Sequence, residues 1–375
     1  MTFVPGRVPR ILLSAGEPSG DLHGGPLVRA LRERWPQAEI VAFGGPKMAA
    51  AGADVRWRME DYSSFGFGEV VASIPKHITL MWDIERELDR RPYDLVIPID
   101  YPGFNLRLAG RAKRRGAKVL YFIPPQVWAW HRSRIAQLRR DCDRLAVILP
   151  FEPEFYRKEG VAATYVGNPL ADRVWPTRKE SRARLGLSAG ERVLGIFPGS
   201  RGQEIRRLWT PMRDAALELV ARGKADRVVV AATSAGEYPE PGALAIHKGD
   251  PMDVFAAIDV ALAKSGTTTL ECALADVPMV VGYKAHWTSF WLVQRIAQVP
   301  HAALPNLILG REAFPELLQD ACTARALVAR AETLFDERSE TLQAQRAALA
   351  EVRKLVGGPG AASRAADLAL ELVGA

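Results

Sequence analysis

The stretch Ala261–Ala275 reads ALAKSGTTTLECALA. An apolar run ends at Ala263, Lys264–Thr267 turns the chain, and Thr268–Ala275 has helical character. A strand that ends in small residues and opens a helix makes an anion site. The first N–H groups of the helix have no intrahelical partner, and they carry the positive end of its dipole. Gly266 lets a phosphate approach the backbone, and the hydroxyls of Ser265 and Thr267 can donate to it. Glu271, about two turns in, can accept from a ribose diol. The same spacing also serves a plain turn with Ser265 as N-cap. A second such turn, Pro198-Gly199-Ser200-Arg201-Gly202-Gln203-Glu204, follows the apolar run Arg192–Phe197. Ser200 and Gln203 have capping-box spacing, and the Arg201 guanidinium can bond two pyrophosphate oxygens at once or sit in a surface ion pair. Asp100 ends the run DLVIPID and is followed by Pro102-Gly103. A carboxylate at the tip of a central strand suits a general base, or caps the next helix.

The elements that must hold these groups alternate between short apolar strands and helices. Strands are expected at Arg10–Ser14, Glu39–Gly44, Asp94–Asp100, Ala117–Ile123 and Asp143–Leu149. A further set is expected at Arg192–Phe197, Arg227–Ala232, Ala243–His247, Ile258–Lys264 and Val277–Gly282. Several are apolar on both faces, as in a parallel sheet. The segment AGEPSGDLHGG reads as a glycine-rich, close-approach loop carrying Asp21 and His23, with Pro26 in the first turn of a helix running to Arg34. TYVGNPLAD (Thr164–Asp172) breaks the pattern and reads as a hinge at Gly167 and Pro169. His286–Gln298 reads as a helix, and three helical segments close the chain at Glu312–Phe335, Glu337–Leu355 and Ala361–Val373, the last two parted by GGPG.

The 375 residues suit two domains. Cys142, Cys272 and Cys322 lie far apart with no metal-type spacing, so no metal is expected. The GxGxxG dinucleotide fingerprint is absent, and no cofactor is expected. No uncharged apolar run reaches the roughly 20 residues of a membrane span, and MTFVPGRVPR lacks the apolar core of a secretory signal. The net charge of +7 is concentrated at Arg107, Arg111, Lys113, Arg114, Arg115 and Lys118, then Arg132–Arg144. This is either a solvated helix face or a surface for a phosphate or an anionic lipid. No nucleic-acid motif is present. The segment holding Phe65, Phe67, Val70, Val71, Ile74 and Ile78, continuing to Met81, is either a core helix or an apolar patch for acyl chains and a membrane. Trp128 and Trp130 either stack on a flat ligand or wedge two elements together.

Taken in order, GEPSGDLHG, IDYPGFNL, PPQVWAW, VGNPLAD, PGSRGQEI, SGTTTLECAL and LPNLI closely resemble the motifs of the lipid-A-disaccharide synthases. The resemblance runs from residue 16 to 308. It implies an α/β protein of GT-B type, two Rossmann-like domains with parallel sheets facing a central cleft. Residues 1–166 would bind acceptor and lipid, 167–349 would bind the UDP-sugar, and a C-terminal helix (350–375) would pack back on the first domain. The implied reaction is the inverting condensation of UDP-2,3-diacylglucosamine with 2,3-diacylglucosamine 1-phosphate (lipid X). It gives a β-1,6 disaccharide phosphate and UDP. Carried over onto this chain, Asp100 is the base. Gly199, Ser200, Arg201, Ser265, Gly266, Thr267, Glu271 and Asn306 are nucleotide-side residues. Glu17, Ser19, Gly20, Asp21 and His23 face the acceptor, and Phe65–Ile78 is the membrane-docking patch. The loop after the base carries Gly103 where the family usually has an acid. The resemblance implies a cytoplasmic protein at the inner face of the inner membrane, with an anionic membrane surface as partner. A homodimer is left open. A UDP-sugar 2-epimerase, or a non-catalytic nucleotide- or lipid-binding protein, remains the alternative on the same scaffold.

Overall fold

The computed structural model describes residues 8–62, 67–130, 132–285 and 299–374; the side chains of 67–74 lie outside that description. The chain divides into two compact units, Met1–Asp172 with Gly358–Ala375, and Arg173–Gly357.

The first unit is built on seven parallel strands: β1 (Arg10–Ser14), β2 (Glu39–Gly44), β3 (Asp54–Arg58), β4 (Leu95–Pro98), β5 (Lys118–Phe122), β6 (Arg144–Val147) and β7 (Ala163–Tyr165). Their spatial order is β3-β2-β1-β4-β5-β6-β7. Its helices are α1 (Pro18–Arg34), α2 (Pro46–Ala50), α3 (Phe67–Arg90), α4 (Pro102–Arg114), α5 (Arg134–Asp141) and α6 (Glu152–Lys158). Both faces of the sheet are apolar because both are covered. Ile11, Leu13, Ile40 and Ile97 pack with Leu27 and Leu31 of α1. Leu12, Val41, Val96 and Val119 pack with Leu80, Ile84 and Leu88 of α3 and Leu108 of α4.

The second unit has six parallel strands in the order β10-β9-β8-β11-β12-β13. They are β8 (Val193–Phe197), β9 (Arg227–Ala231), β10 (Ala245–His247), β11 (Val260–Lys264), β12 (Met279–Tyr283) and β13 (Glu316–Leu318). With them come α7 (Arg178–Arg184), α8 (Gly202–Ala221), α9 (Pro251–Ala257), α10 (Thr267–Leu274), α11 (Leu304–Leu309), α12 (Ala324–Ala331) and α13 (Glu340–Val356). The last helix, α14 (Ala361–Val373), belongs to the first unit and packs Ala365, Ala366 and Ala369 into its core.

Each sheet has a switch point where the strand order reverses, between β1 and β4 in one and between β8 and β11 in the other. In open α/β sheets, ligands bind outside the carboxyl ends of the strands at such points. The turns singled out in the sequence leave those four strands.

Three expectations change. First, α1 begins at Pro18, not near Pro26, so Asp21 and His23 are helical. The glycines there serve close packing: a Cβ on Gly24 would lie 2.7 Å from Met48 Sδ, and one on Gly25 would lie 3.0 Å from the Lys47 carbonyl oxygen. Second, Glu312–Phe335 is not one helix but contains β13, two 3-10 turns and α12. Third, Gly167-Asn168-Pro169 is clamped within the first unit. Asn168 Nδ2 donates to the Ile148 carbonyl (3.1 Å), and Arg364 Nε donates to the Val166 carbonyl (2.7 Å). The chain leaves the unit only after Asp172, whose carboxylate accepts from the Gly360 amide. The expected helix His286–Gln298 lies outside the described residues.

The basic stretch is largely matched by acids distant in sequence. Arg111 pairs with Glu85, Arg115 with Asp89, and Lys113 and Lys118 with Asp143. Arg107 and Arg114 are exposed. Within the apolar segment, Phe65 lies outside the described residues, as do the side chains of Phe67, Val70, Val71 and Ile74. Leu80 and Met81 are core, whereas Ile78 (46% exposed) and Trp82 (57% exposed), four residues apart on α3, face outward. Trp128 is a wedge: it is buried, meets Phe151 edge-on and donates to Glu152 Oε1 (3.0 Å).

Candidate active site

At the first switch point, β4 runs into Asp100 and Tyr101, both left-handed (φ 48° and 50°). Two consecutive non-glycine residues in this region are strained, and the surroundings must hold them there. Asn105 of α4, fully buried, does so. Its Nδ2 donates to the carbonyls of Ser14 (3.0 Å), Ile99 (3.1 Å) and Asp100 (2.8 Å), and its Oδ1 accepts from Ser14 Oγ (2.6 Å). The Tyr121 hydroxyl adds a bond to the Asp100 carbonyl (2.8 Å). The pKa of the Asp100 carboxyl is raised above the ordinary aspartate value, first by burial and then by the charge of Glu17; the Tyr101 amide opposes the shift. A carboxyl so tuned is a better proton acceptor than a solvated aspartate.

Glu17 and Ser19 are exposed at the start of α1, while Gly20 is buried, and a Cβ on it would lie 3.0 Å from Ala15 Cβ. His23 is half-buried one turn on. Asp21 is 2% exposed, and its two oxygens accept from the amides of Gly45 (2.9 Å), Lys47 (2.9 Å) and Met48 (3.1 Å). It anchors the start of α2. Tyr101 lies over Gly16 and hydrogen-bonds His77 Nε2 (2.6 Å). A Cβ on Gly103 would meet nothing within 4 Å.

At the second switch point, Gly199 (φ 127°) bends the chain and Arg201 is the N-cap of α8, so the helix starts later than Ser200. The cap partner is Glu204, not Gln203. Its Oε2 accepts from the amides of Ser200 (3.1 Å) and Arg201 (3.4 Å), and its Oε1 lies 3.0 Å from Lys264 Nζ. Burial pushes the Glu204 carboxyl up, but the Lys264 charge and the two amides outweigh it and hold the group below its ordinary range. The chain's own carboxylate thus occupies two amides at this turn. Exposed Ser200 and Arg201 side chains remain, and Arg201 has no ion pair among the described residues.

After β11, Gly266 (φ 142°) is the N-cap of α10, and Thr267 is exposed. Ser265 is not the cap: it is buried, and its hydroxyl donates to the Ala302 carbonyl (2.7 Å). Glu271 is bonded through Oε1 to Arg173 Nη1, an arginine the sequence had not marked out. Asn306 is 0% exposed and fully spent. Nδ2 donates to the Phe314 carbonyl (2.8 Å) and Glu316 Oε1 (2.8 Å), and Oδ1 accepts from the amides of Ala313 (2.9 Å) and Phe314 (3.0 Å). Glu316 also accepts from the amides of Ala302 (2.8 Å) and Ala303 (2.9 Å). Ser265, Asn306 and Glu316 therefore form a frame that fixes the Ala302–Asn306 segment beside the α10 turn. Their polar atoms are taken up by bonds within the chain. The signal for Glu204 was its place three residues after Arg201; that for Lys264 was a charge ending an apolar strand.

A family model described as Lipid-A-disaccharide synthetase matches residues 11–370. The chain is 38% identical to the lipid-A-disaccharide synthase of Geobacter metallireducens, covering 97% of each chain. It is 36% identical to that of Pseudomonas aeruginosa, covering 97% of this chain and 98% of the relative. Among solved structures, the glycosyltransferase of kitacinnamycin superposes with a TM-score of 0.64 at 18% identity over 98% of this chain and 99% of that one. CalG4, the calicheamicin glycosyltransferase, gives 0.61 at 18% identity over the same shares. A putative UDP-N-acetylglucosamine 2-epimerase from Listeria monocytogenes gives 0.63 at 12% identity over 97% and 96%. These structures share the fold alone, GT-B with two Rossmann-like units. With the family match running almost end to end and the two switch points furnished as described, the chain belongs to the lipid-A-disaccharide synthase family of glycosyltransferases.

Proposed function

We propose that the chain joins UDP-2,3-diacylglucosamine to lipid X by a single inverting displacement, with Asp100 as base and the second unit as the UDP subsite. Asp100 accepts the proton of the acceptor 6-hydroxyl as that oxygen attacks the anomeric carbon. The α-linked donor becomes a β-linked product, and UDP departs. The Arg201 guanidinium and the α10 turn at Gly266–Thr267 offset the charge that grows on the diphosphate. Glu271, oriented by Arg173, accepts from the ribose. Glu17, Ser19 and His23 lie on the acceptor side. The observation that carries the base assignment is the strained, Asn105-held turn that presents a carboxyl of raised pKa at the first switch point. No metal enters this scheme, because fixed cations and helix dipoles supply the charge. The test is UDP release by the protein in detergent micelles, with and without lipid X and with a chelator. Release that requires lipid X and survives the chelator is expected. Strict dependence on a divalent metal would overturn the metal-free scheme, and release indifferent to lipid X would overturn the acceptor.

Attachment to an anionic membrane is supported by the outward Ile78 and Trp82 and by exposed Arg107 and Arg114. No helix among the described residues is long and apolar enough to cross a membrane. The reading places the protein at the cytoplasmic face of the inner membrane. The protein should sediment with phosphatidylglycerol vesicles more than with phosphatidylcholine ones; equal recovery in the supernatant from both removes the reading.

Two further outcomes follow from the Asp100 environment. Glu17→Gln removes the nearby negative charge, so the Asp100 pKa falls. Because the base must be ionised, the acid limb of kcat/KM moves to lower pH; an unmoved limb counts against Asp100 as the group titrating there. Gly16→Ala places a Cβ 2.3 Å from Tyr101 Cδ1, closer than any real contact. The ring and the left-handed pair beneath it must shift, and a misplacement of about 1 Å costs about 10²-fold in turnover. A melting curve should move far less than kcat, and unchanged kcat would show that the Tyr101 position is unimportant.

A further inference from the structure

Lys264 ends a strand whose other residues, Val260–Ala263, are all buried and apolar. Its ammonium emerges at the second switch point, where the turns after β8 and β11 meet. It lies 3.0 Å from Glu204 Oε1, with both side chains about one-fifth exposed. It also stands 3.3 Å from the place a Cβ on Gly266 would take, so it overhangs the first turn of α10. Glu204 serves three donors at once: this ammonium and the amides of Ser200 and Arg201. Lysine has three N–H donors on a compact charge. A bond to Glu204 leaves it two.

We propose that Lys264 is a second cation for the diphosphate of the nucleotide, held ready by Glu204 and shared with a phosphate oxygen when the ligand is bound. The proposal rests on reading the second unit as the UDP subsite. Arg201 then approaches the diphosphate from the β8 turn and Lys264 from the β11 turn, with the N-terminus of α10 behind it. Glu204 keeps the ammonium from folding away and keeps the Ser200–Arg201 backbone in place. Lys264 thus binds charge that grows as UDP leaves. It adds nothing to recognition of the nucleoside, which it does not touch.

The experiment is calorimetric titration of the full chain and of Lys264→Met with UDP, UMP and uridine. Lys264→Met should weaken UDP by at least about tenfold, the scale of one charge-assisted hydrogen bond. UMP should lose less, and uridine should stay within about twofold. Lys264→Arg should recover part of the UDP affinity. Equal loss for UDP and uridine would show that Lys264 merely shapes the turn, and unchanged UDP affinity would show that it makes no contact. Either result overturns the proposal while leaving the nucleotide reading intact. A wild-type chain that binds neither UDP nor uridine overturns the nucleotide reading and this inference with it. Should Lys264→Met fail to fold, Lys264→Gln keeps a hydrogen bond to Glu204 and is judged by the same UDP-to-uridine ratio.

Discussion

Asp100→Asn is expected to bind UDP as the wild type does and to lose turnover by about 10²–10⁴, the usual worth of a positioned general base. Asparagine is the informative replacement. The backbone at this position is left-handed, and asparagine tolerates that region where most residues do not. The bonds that hold the turn run to the carbonyl of residue 100, from Asn105 and Tyr121, and the substitution leaves them in place. Only the proton-accepting power of the side chain is removed. A steady-state assay of UDP release, beside a UDP titration, separates the two effects. Turnover within a few-fold of wild type would dismiss Asp100 as the base. Parallel loss of turnover and UDP affinity would mean that the variant disturbs more than proton transfer.

Asn306→Ala is expected to lower the stability of the second unit while leaving UDP affinity of the folded protein near its wild-type value. The side chain makes four hydrogen bonds within the chain and has no exposed surface. Its loss leaves the amides of Ala313 and Phe314 without that acceptor and the Phe314 carbonyl and Glu316 carboxylate short of a donor. Buried groups so abandoned cost about 1–3 kcal/mol each before relaxation and water entry, so a net loss of roughly 3 kcal/mol is expected. For a unit of this size that lowers the melting temperature by about 6–12 °C. Thermal melts and UDP titrations of the same preparation decide the matter. Unchanged melting with lost UDP affinity would return Asn306 to the ligand.

The sequence was most legible where burial alone dictates the pattern. RILLS and EIVAFG are β1 and β2 to the residue, because strands covered on both faces carry near-continuous apolar runs. DVRWR, ATY and ELL were not legible as β3, β7 and β13. They are three to five residues long, and all three lie at sheet edges. Edge strands need no continuous apolar run, and nothing local separates ELL from a helical turn. At the site, the turns after β1, β4, β8 and β11 were visible because Gly, Pro and small polar residues punctuate them. What could not be read was which polar side chains face outward. Ser265, Asn306 and Asp21 have the same chemistry as residues that bind ligands. Burial and partners elsewhere in the chain, Ala302, Phe314 and the start of α2, take up their polar atoms. Likewise the basic stretch around Arg111 looked unbalanced because its acids, Glu85 and Asp89, sit on α3.

The position of α14 bears on how the protein is made. Its Ala365, Ala366 and Ala369 close the core over Leu27 and Leu31 of α1, and Arg34 pairs with Asp367. Synthesis runs from the N-terminus, and domains generally fold as units in that order. Here the first unit cannot complete its core until the whole second unit has been translated and the last helix has left the ribosome. The nascent first unit therefore holds a core that lacks its last piece, the Ala365, Ala366 and Ala369 face of α14, through most of elongation, and a ribosome stalled anywhere before Ala361 leaves that gap as a target for chaperones or proteases.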